Sequence, residues 1–176
     1  MEMLAKNFRK IQGRKDLTQR LFQFFPNDMT NRDILFLCIG TDKATGDCLG
    51  PLLGTYLQEA GYDNVIGTLD APCHGVNLHT IVNSLPVNKQ VIAIDACLGP
   101  EANIGTFELR NGPLRAGEGT GNDQRPIGDY SILGFVNVHT HNMKINRENL
   151  QSTSFGFVRK MTQDLKIALM ARFPLE

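Results

Sequence analysis

Asp47 and Asp95 are the residues of this chain whose type and setting point to chemistry. Asp47 lies in a glycine-bearing run, Thr41-Asp42-Lys43-Ala44-Thr45-Gly46-Asp47-Cys48-Leu49-Gly50-Pro51, which follows an apolar stretch over 34–39 and leads into a helical pattern. Asp95 lies in a second segment over 91–100, where an apolar stretch again gives way to an acid and then to Gly99-Pro100. Loops that leave buried strands often carry function. Two carboxyl groups on the same rim of one sheet share a proton, because neighbouring carboxylates do not both ionise readily; one then serves as base and the other as acid. Asp47, close to a helix N-terminus, is favoured as the anion, and Asp95, at the end of a buried strand, as the proton holder. Each acid also has a plainer reading, Asp47 as the cap of the helix near Leu49 and Asp95 as a turn residue before Gly99-Pro100. Thr41, Asp42, Gly46, Asp70, His74 and Asp129 are expected to line the pocket around the pair.

Other chemistries fit less well. A phosphate cradle needs G-x-x-x-x-G-K-[ST], whereas here Gly40 and Gly46 are one residue too far apart and Asp47 stands where the lysine belongs. The dinucleotide pattern G-x-G-x-x-G and the serine elbow G-x-S-x-G are both missing from the sequence. Cys48 and Cys97 each neighbour an acid, which disfavours the thiolate that a cysteine nucleophile requires. His139 and His141 would face one side of a strand, an arrangement able to bind a divalent metal, but mean little on a loop. His74 and His79 read as packing or surface residues, His74 near the rim.

The totals narrow the classes. A chain of 176 residues, 41% hydrophobic and 20% charged, is long and apolar enough for one ordinary domain with a real core. Eighteen basic residues balance eighteen acidic ones, so nothing marks a nucleic-acid or anionic-membrane partner. The N-terminus lacks a signal-peptide core and no segment approaches the ~20 apolar residues of a membrane span, so a cytoplasmic location is expected. The four cysteines are widely spaced with no C-x-x-C, consistent with reduced thiols and against a cysteine zinc site.

The elements that must position the acids follow from periodicity. Residues 3–24 have roughly helical apolar spacing, and residues 1–28 form a helical segment packing on an α/β domain over 29–176. Strands are expected at 34–39, 65–69 and 90–94, helices at 49–60, 76–85 and 153–173, and a hairpin arm at 106–110. Residues 116–128 read as a long loop. The segment 130–138 fits either helix or strand, and a short helix is preferred. Alternating strands and helices imply a mostly parallel sheet with helices on both faces, a three-layer α/β domain whose sites lie beyond the carboxyl ends of the strands.

Four stretches, IGTDKATGDCLGPLLG, LDAPCHGVNL, VIAIDACLG and IGDYSILGFVNV, recur in the order expected of a known family. Over roughly 34–138 the chain resembles the YyaC-type spore protein family. That family is similar to the germination protease that degrades small acid-soluble spore proteins and, more distantly, to hydrogenase maturation endopeptidases. The resemblance implies a phosphorylase/hydrolase-like three-layer fold and assigns Asp47 and Asp95 to the catalytic acids. In the maturation endopeptidases these two positions and a later histidine hold nickel; the place of that histidine falls at Asp129-Tyr130-Ser131, where no histidine stands. The segment 139–151 departs from the pattern. The expectation is a sporulation-associated aspartic-type endopeptidase that acts on a protein or peptide in the cytoplasm of a spore-forming bacterium, with no cofactor. The alternatives are a metal-dependent maturation-type peptidase using the two acids with His74, His139 or His141, and a non-catalytic sporulation protein that binds a peptide or protein. A homo-oligomer is left open by the apolar residues of the first 25 positions.

Overall fold

The structure, a computed structural model, describes residues 14–114 and 126–175. Among these, β1 (Ile34–Cys38), β2 (Val65–Ile66), β3 (Gln90–Gly99), β4 (Phe107–Asn111) and β5 (Tyr130–Val138) form one sheet in the order β2-β1-β3-β5-β4. Neighbouring strands are parallel except β4, which runs antiparallel to β5 at one edge. The helices are α1 (Arg14–Phe24), α2 (Leu49–Glu59), α3 (Leu78–Asn83), α4 (Met143–Ser152) and α5 (Phe155–Arg172). The first part of the helix expected over 3–24, and most of the long loop expected over 116–128, lie outside the described residues. No helix among the described residues is long and apolar enough to cross a membrane.

Both faces of the sheet are covered, which explains why β1 reads as a continuous apolar run rather than an alternation. Ile34, Phe36 and Cys38 join Leu17, Leu21, Leu53, Leu57, Leu165 and Leu169 in the larger core, beneath α1, α2 and α5. Leu35, Leu37 and Ile39 join Val91, Ala93 and Leu78 in a smaller core on the face that carries α3. This is the mostly parallel, three-layer α/β domain expected from the sequence.

Two elements correct the sequence reading. Tyr130–Val138 is strand β5, not a short helix. It lies between β3 and β4 with both faces buried, so it shows no alternation, and periodicity does not separate such a run from a buried helix. Gly134 within it marks a close approach to α2, since a Cβ there would stand 2.7 Å from Leu49 Cδ1. The second correction is α4, in the segment read only as a departure from the family pattern. Its start is set by Asn142, whose side chain accepts from the N–H groups of Lys144 (2.9 Å) and Ile145 (3.3 Å).

Glycines decide how closely α2 approaches the sheet. A Cβ on Gly50 would lie 2.0 Å from the Ile39 carbonyl oxygen, and one on Gly54 would lie 1.9 Å from that of Gly67. The i, i+4 pair therefore gives α2 a bare stripe that rests directly on backbone. This seats the beginning of α2, and the loop that feeds it, on the carboxyl end of β1.

Candidate active site

Strand β1 stops short of its neighbour. Its last pairing is Cys38 with Ile94, whereas β3 and β5 stay paired as far as Gly99 and Val138. The rim of the sheet therefore has a step, and Asp95 is the first residue of β3 beyond it. Strand alternation puts the Asp95 side chain on the same face as Val91 and Ala93. The residue is 9% exposed. Its carboxyl pKa is raised well above the ordinary value, first by burial and then by the charge of Asp47, against the opposing pull of the Ala96 N–H.

The loop from β1 to α2 folds over this step. Ile39 N–H donates to the Ile94 carbonyl (2.7 Å), Gly40 N–H to that of Cys73 (2.8 Å) and Thr41 N–H to that of Asp47 (3.1 Å). Gly40 has φ +136, and a Cβ there would fall 2.1 Å from the Asp47 carbonyl oxygen, so glycine is required for the loop to close. Asp47 sits in a single 3-10 turn, Thr45–Cys48, with Gly46 pressed against α4; a Cβ on Gly46 would be 2.9 Å from the Leu150 carbonyl oxygen. Cys48 is the N-cap of α2 and no side chain supplies the capping bond, so the Asp47 carboxyl is not spent as a cap.

Burial raises the Asp47 pKa to about 6, even though the Thr41 N–H and the charge of His74 pull it down. Asp95 faces the charge of Asp47, which favours its protonated form. The same negative field falls on the thiols. Burial raises Cys48, and the charges of Asp47 and Asp42 raise it further. Cys73 is pushed up to about 12 by burial and by Asp95. Neither thiol has the positive surroundings of a nucleophile.

His74 is held from several sides. Its Nδ1 accepts from the Val76 N–H (3.3 Å), its backbone N–H donates to Asn77 Oδ1 (2.9 Å), and Asn77 Nδ2 donates to the Pro72 carbonyl (2.9 Å). With Nδ1 accepting, the neutral ring carries its proton on Nε2. Thr41 and Gly46 flank Asp47 in the loop, and Asp42 is exposed beside it. Asp70 is exposed in the loop after β2.

Asp129, expected in the pocket, lies at the opposite rim. Its Oδ2 accepts from Val91 N–H (2.8 Å) at the start of β3, so its carboxyl helps to join the amino ends of β3 and β5. His139 and His141 are exposed beyond the end of β5, where His139 N–H donates to the Gly99 carbonyl (2.9 Å). No three His, Cys, Asp or Glu side chains among the described residues gather closely enough to hold a metal ion.

Sequence reasoning missed α4 and its ties. Asn146 is buried; its Oδ1 accepts from Thr140 N–H (2.7 Å) and Oγ1 (2.9 Å), and its Nδ2 donates to the Thr140 carbonyl (2.9 Å). Asn149 Nδ2 donates to the Val138 carbonyl (2.8 Å), and Asn137 Nδ2 donates to the Asn149 carbonyl (2.9 Å) and to Thr153 Oγ1 (3.0 Å). The helix that supports the Asp47 turn is thus fastened to the end of β5. The recurrence of Asn142, Asn146 and Asn149 at helical spacing was the signal available for it.

The chain is similar to the uncharacterized protein YyaC of Bacillus subtilis (strain 168), with 44% identity over 112 residues covering 61% of this chain and 55% of that protein. It thus spans about half the length of the curated relative. Among solved structures it is similar to the [NiFe] hydrogenase maturation protease HybD of Thermococcus kodakarensis, at 18% identity and a TM-score of 0.48, covering 80% of this chain and 97% of that one. It is also similar to the maturation protease HycI of Thermococcus kodakarensis KOD1, at 18% identity and a TM-score of 0.36, covering 76% and 92% of the respective chains. The family model described as protein of unknown function (DUF1256) matches residues 7–167, and the chain belongs to that family.

Proposed function

We propose that this protein is an endopeptidase that hydrolyses a peptide bond with Asp47 and Asp95 as a general base and general acid. The observation that carries the reading is the placing of two carboxyls at the step in the sheet, both raised by burial, with Asp95 raised further by the charge of Asp47. On this reading Asp47 works as the anion and Asp95 as the proton holder, the division of labour that acid–base hydrolysis needs. Asp47 takes a proton from water as the water oxygen bonds to the peptide carbonyl carbon. Asp95 donates a hydrogen bond to the carbonyl oxygen as it becomes negative. When the C–N bond breaks, the proton held by Asp47 passes to the leaving amine, and both acids return to their starting states. On this reading the chain supplies its own chemistry and needs no cofactor. The likeness to spore proteins set out above favours a protein substrate in the cytoplasm of a sporulating cell.

The test is incubation of the purified protein with small acid-soluble spore proteins, followed by mass spectrometry of the fragments. Asp47→Asn and Asp95→Asn should each slow cleavage by about a thousandfold. Cleavage at the full rate in either variant would remove the mechanism.

A further inference from the structure

The outer edge of β2 lies in a groove of about 470 Å³ that no step of the proposed hydrolysis uses. Gln58 of α2 flanks it on one side of the sheet, and Asn77, just before α3, and Ile81 of α3 on the other; Ile66, Pro72 and His74 also line it. The groove thus follows the edge of the sheet instead of lying on either face. Among the described residues, strand β2 has a partner strand on one side alone, β1, and Phe36 N–H donates to the Asn64 carbonyl (2.9 Å). In a parallel ladder alternate residues address opposite sides, so Asn64 and Ile66 face β1 while the N–H and C=O of Val65 face outward into the groove. At the carboxyl end of β2 the groove reaches His74, which lies near enough to Asp47 to influence its carboxyl.

We propose that the edge of β2 binds the substrate as a short extended strand, with the Val65 backbone supplying the ladder hydrogen bonds, an apolar side chain seated against Ile66, Pro72 and Ile81, and the next peptide bond led past His74 to the acids. The proposal rests on the endopeptidase reading for the fate of the bound segment, but not for its binding. Strand addition to a sheet edge takes affinity from main-chain bonds and specificity from pockets for alternate side chains. That suits a protease, because an extended chain is the form in which a peptide bond is accessible. The His74 ring, oriented through Val76 and Asn77, presents Nε2 as a positioning donor between groove and acids.

The probe is a library of randomised hexapeptides displayed on phage, selected on the full-length Asp95→Asn protein to prevent turnover. Selected peptides should carry an apolar residue and shift the amide resonances of Val65, Ile66 and His74. Ile81→Lys and Ala71→Lys place a charge in the groove from a half-buried and an exposed position, and each should weaken binding at least tenfold while leaving the titration of Asp47 in place. Peptides that bind elsewhere, no enrichment, or affinity indifferent to both lysines would overturn the proposal. A dimer in sedimentation that Ile81→Lys dissolves would also overturn it, making a second copy of this chain the occupant. The two readings fail separately. Peptides held in the groove but never cut by the wild-type protein would sink the hydrolysis alone, and peptides cut equally well by both lysine variants would sink the groove alone.

Discussion

Asp47 and Asp95 hold protons more tightly in the folded protein than in the unfolded chain, where carboxyls titrate near ~3.9. Stability from these groups is therefore fully present below pH 4 and is lost as pH rises through about 6 for Asp47 and through the raised pKa of Asp95. An amide cannot ionise, so Asp47→Asn and Asp95→Asn should be more stable than the wild type at pH 8, with the advantage fading toward pH 4. For Asp47 the shift corresponds to at most about 3 kcal/mol. Urea denaturation at the two pH values measures it, and a loss of stability at pH 8 would contradict the burial argument. On the proposed mechanism, the rate of cleavage should rise through about pH 6 as Asp47 ionises and fall as Asp95 loses its proton. The position of both acids at the rim was legible from the sequence, because each follows an apolar run and precedes a glycine. Asp129 shows the limit of that logic. It too flanks an apolar run, but at the beginning of β5 and not beyond its end, and only the direction of the strand tells the two rims apart.

At the scale of elements, α2 was readable from Leu52, Leu53 and Leu57, whereas its glycine stripe was not, because close approach leaves no periodic apolar signal. Gly50→Ala would place a methyl group against the Ile39 carbonyl and lift α2 from β1. The cost should be about 1–3 kcal/mol or more, measured by chemical denaturation, with activity falling further than stability because the Asp47 turn precedes this helix. Helix α4 was missed for a different reason: its contribution is polar. Asn146→Ala strands the N–H and C=O of Thr140 and should cost about 1–3 kcal/mol. A stability within a few tenths of the wild type would mean that water replaces the amide. Strand β5 was misread because burial on both faces removes the alternation that marks a strand.

The whole molecule is a parallel α/β sheet finished by an antiparallel edge strand, and its class followed from the order of its elements. The buried guanidinium of Arg172 shows how its ends are joined: Nη1 donates to the Met29 carbonyl (3.0 Å), Nη2 to that of Pro26, and the ring of Phe173 stacks beneath it at 4.5 Å. A long-range tie of this kind leaves no local mark in the sequence. The unequal lengths of β1 and β3 have a dynamic consequence. One acid rides on an interior strand and the other on a turn resting over the step, so the two halves open at different free-energy cost. Amide hydrogen exchange should find the 92–97 backbone among the slowest to exchange, released only by global unfolding, and the 41–47 backbone released by smaller, local openings. Equal protection of the two segments would refute this. The turn is then the half that yields first, while the strand beneath it stays fixed.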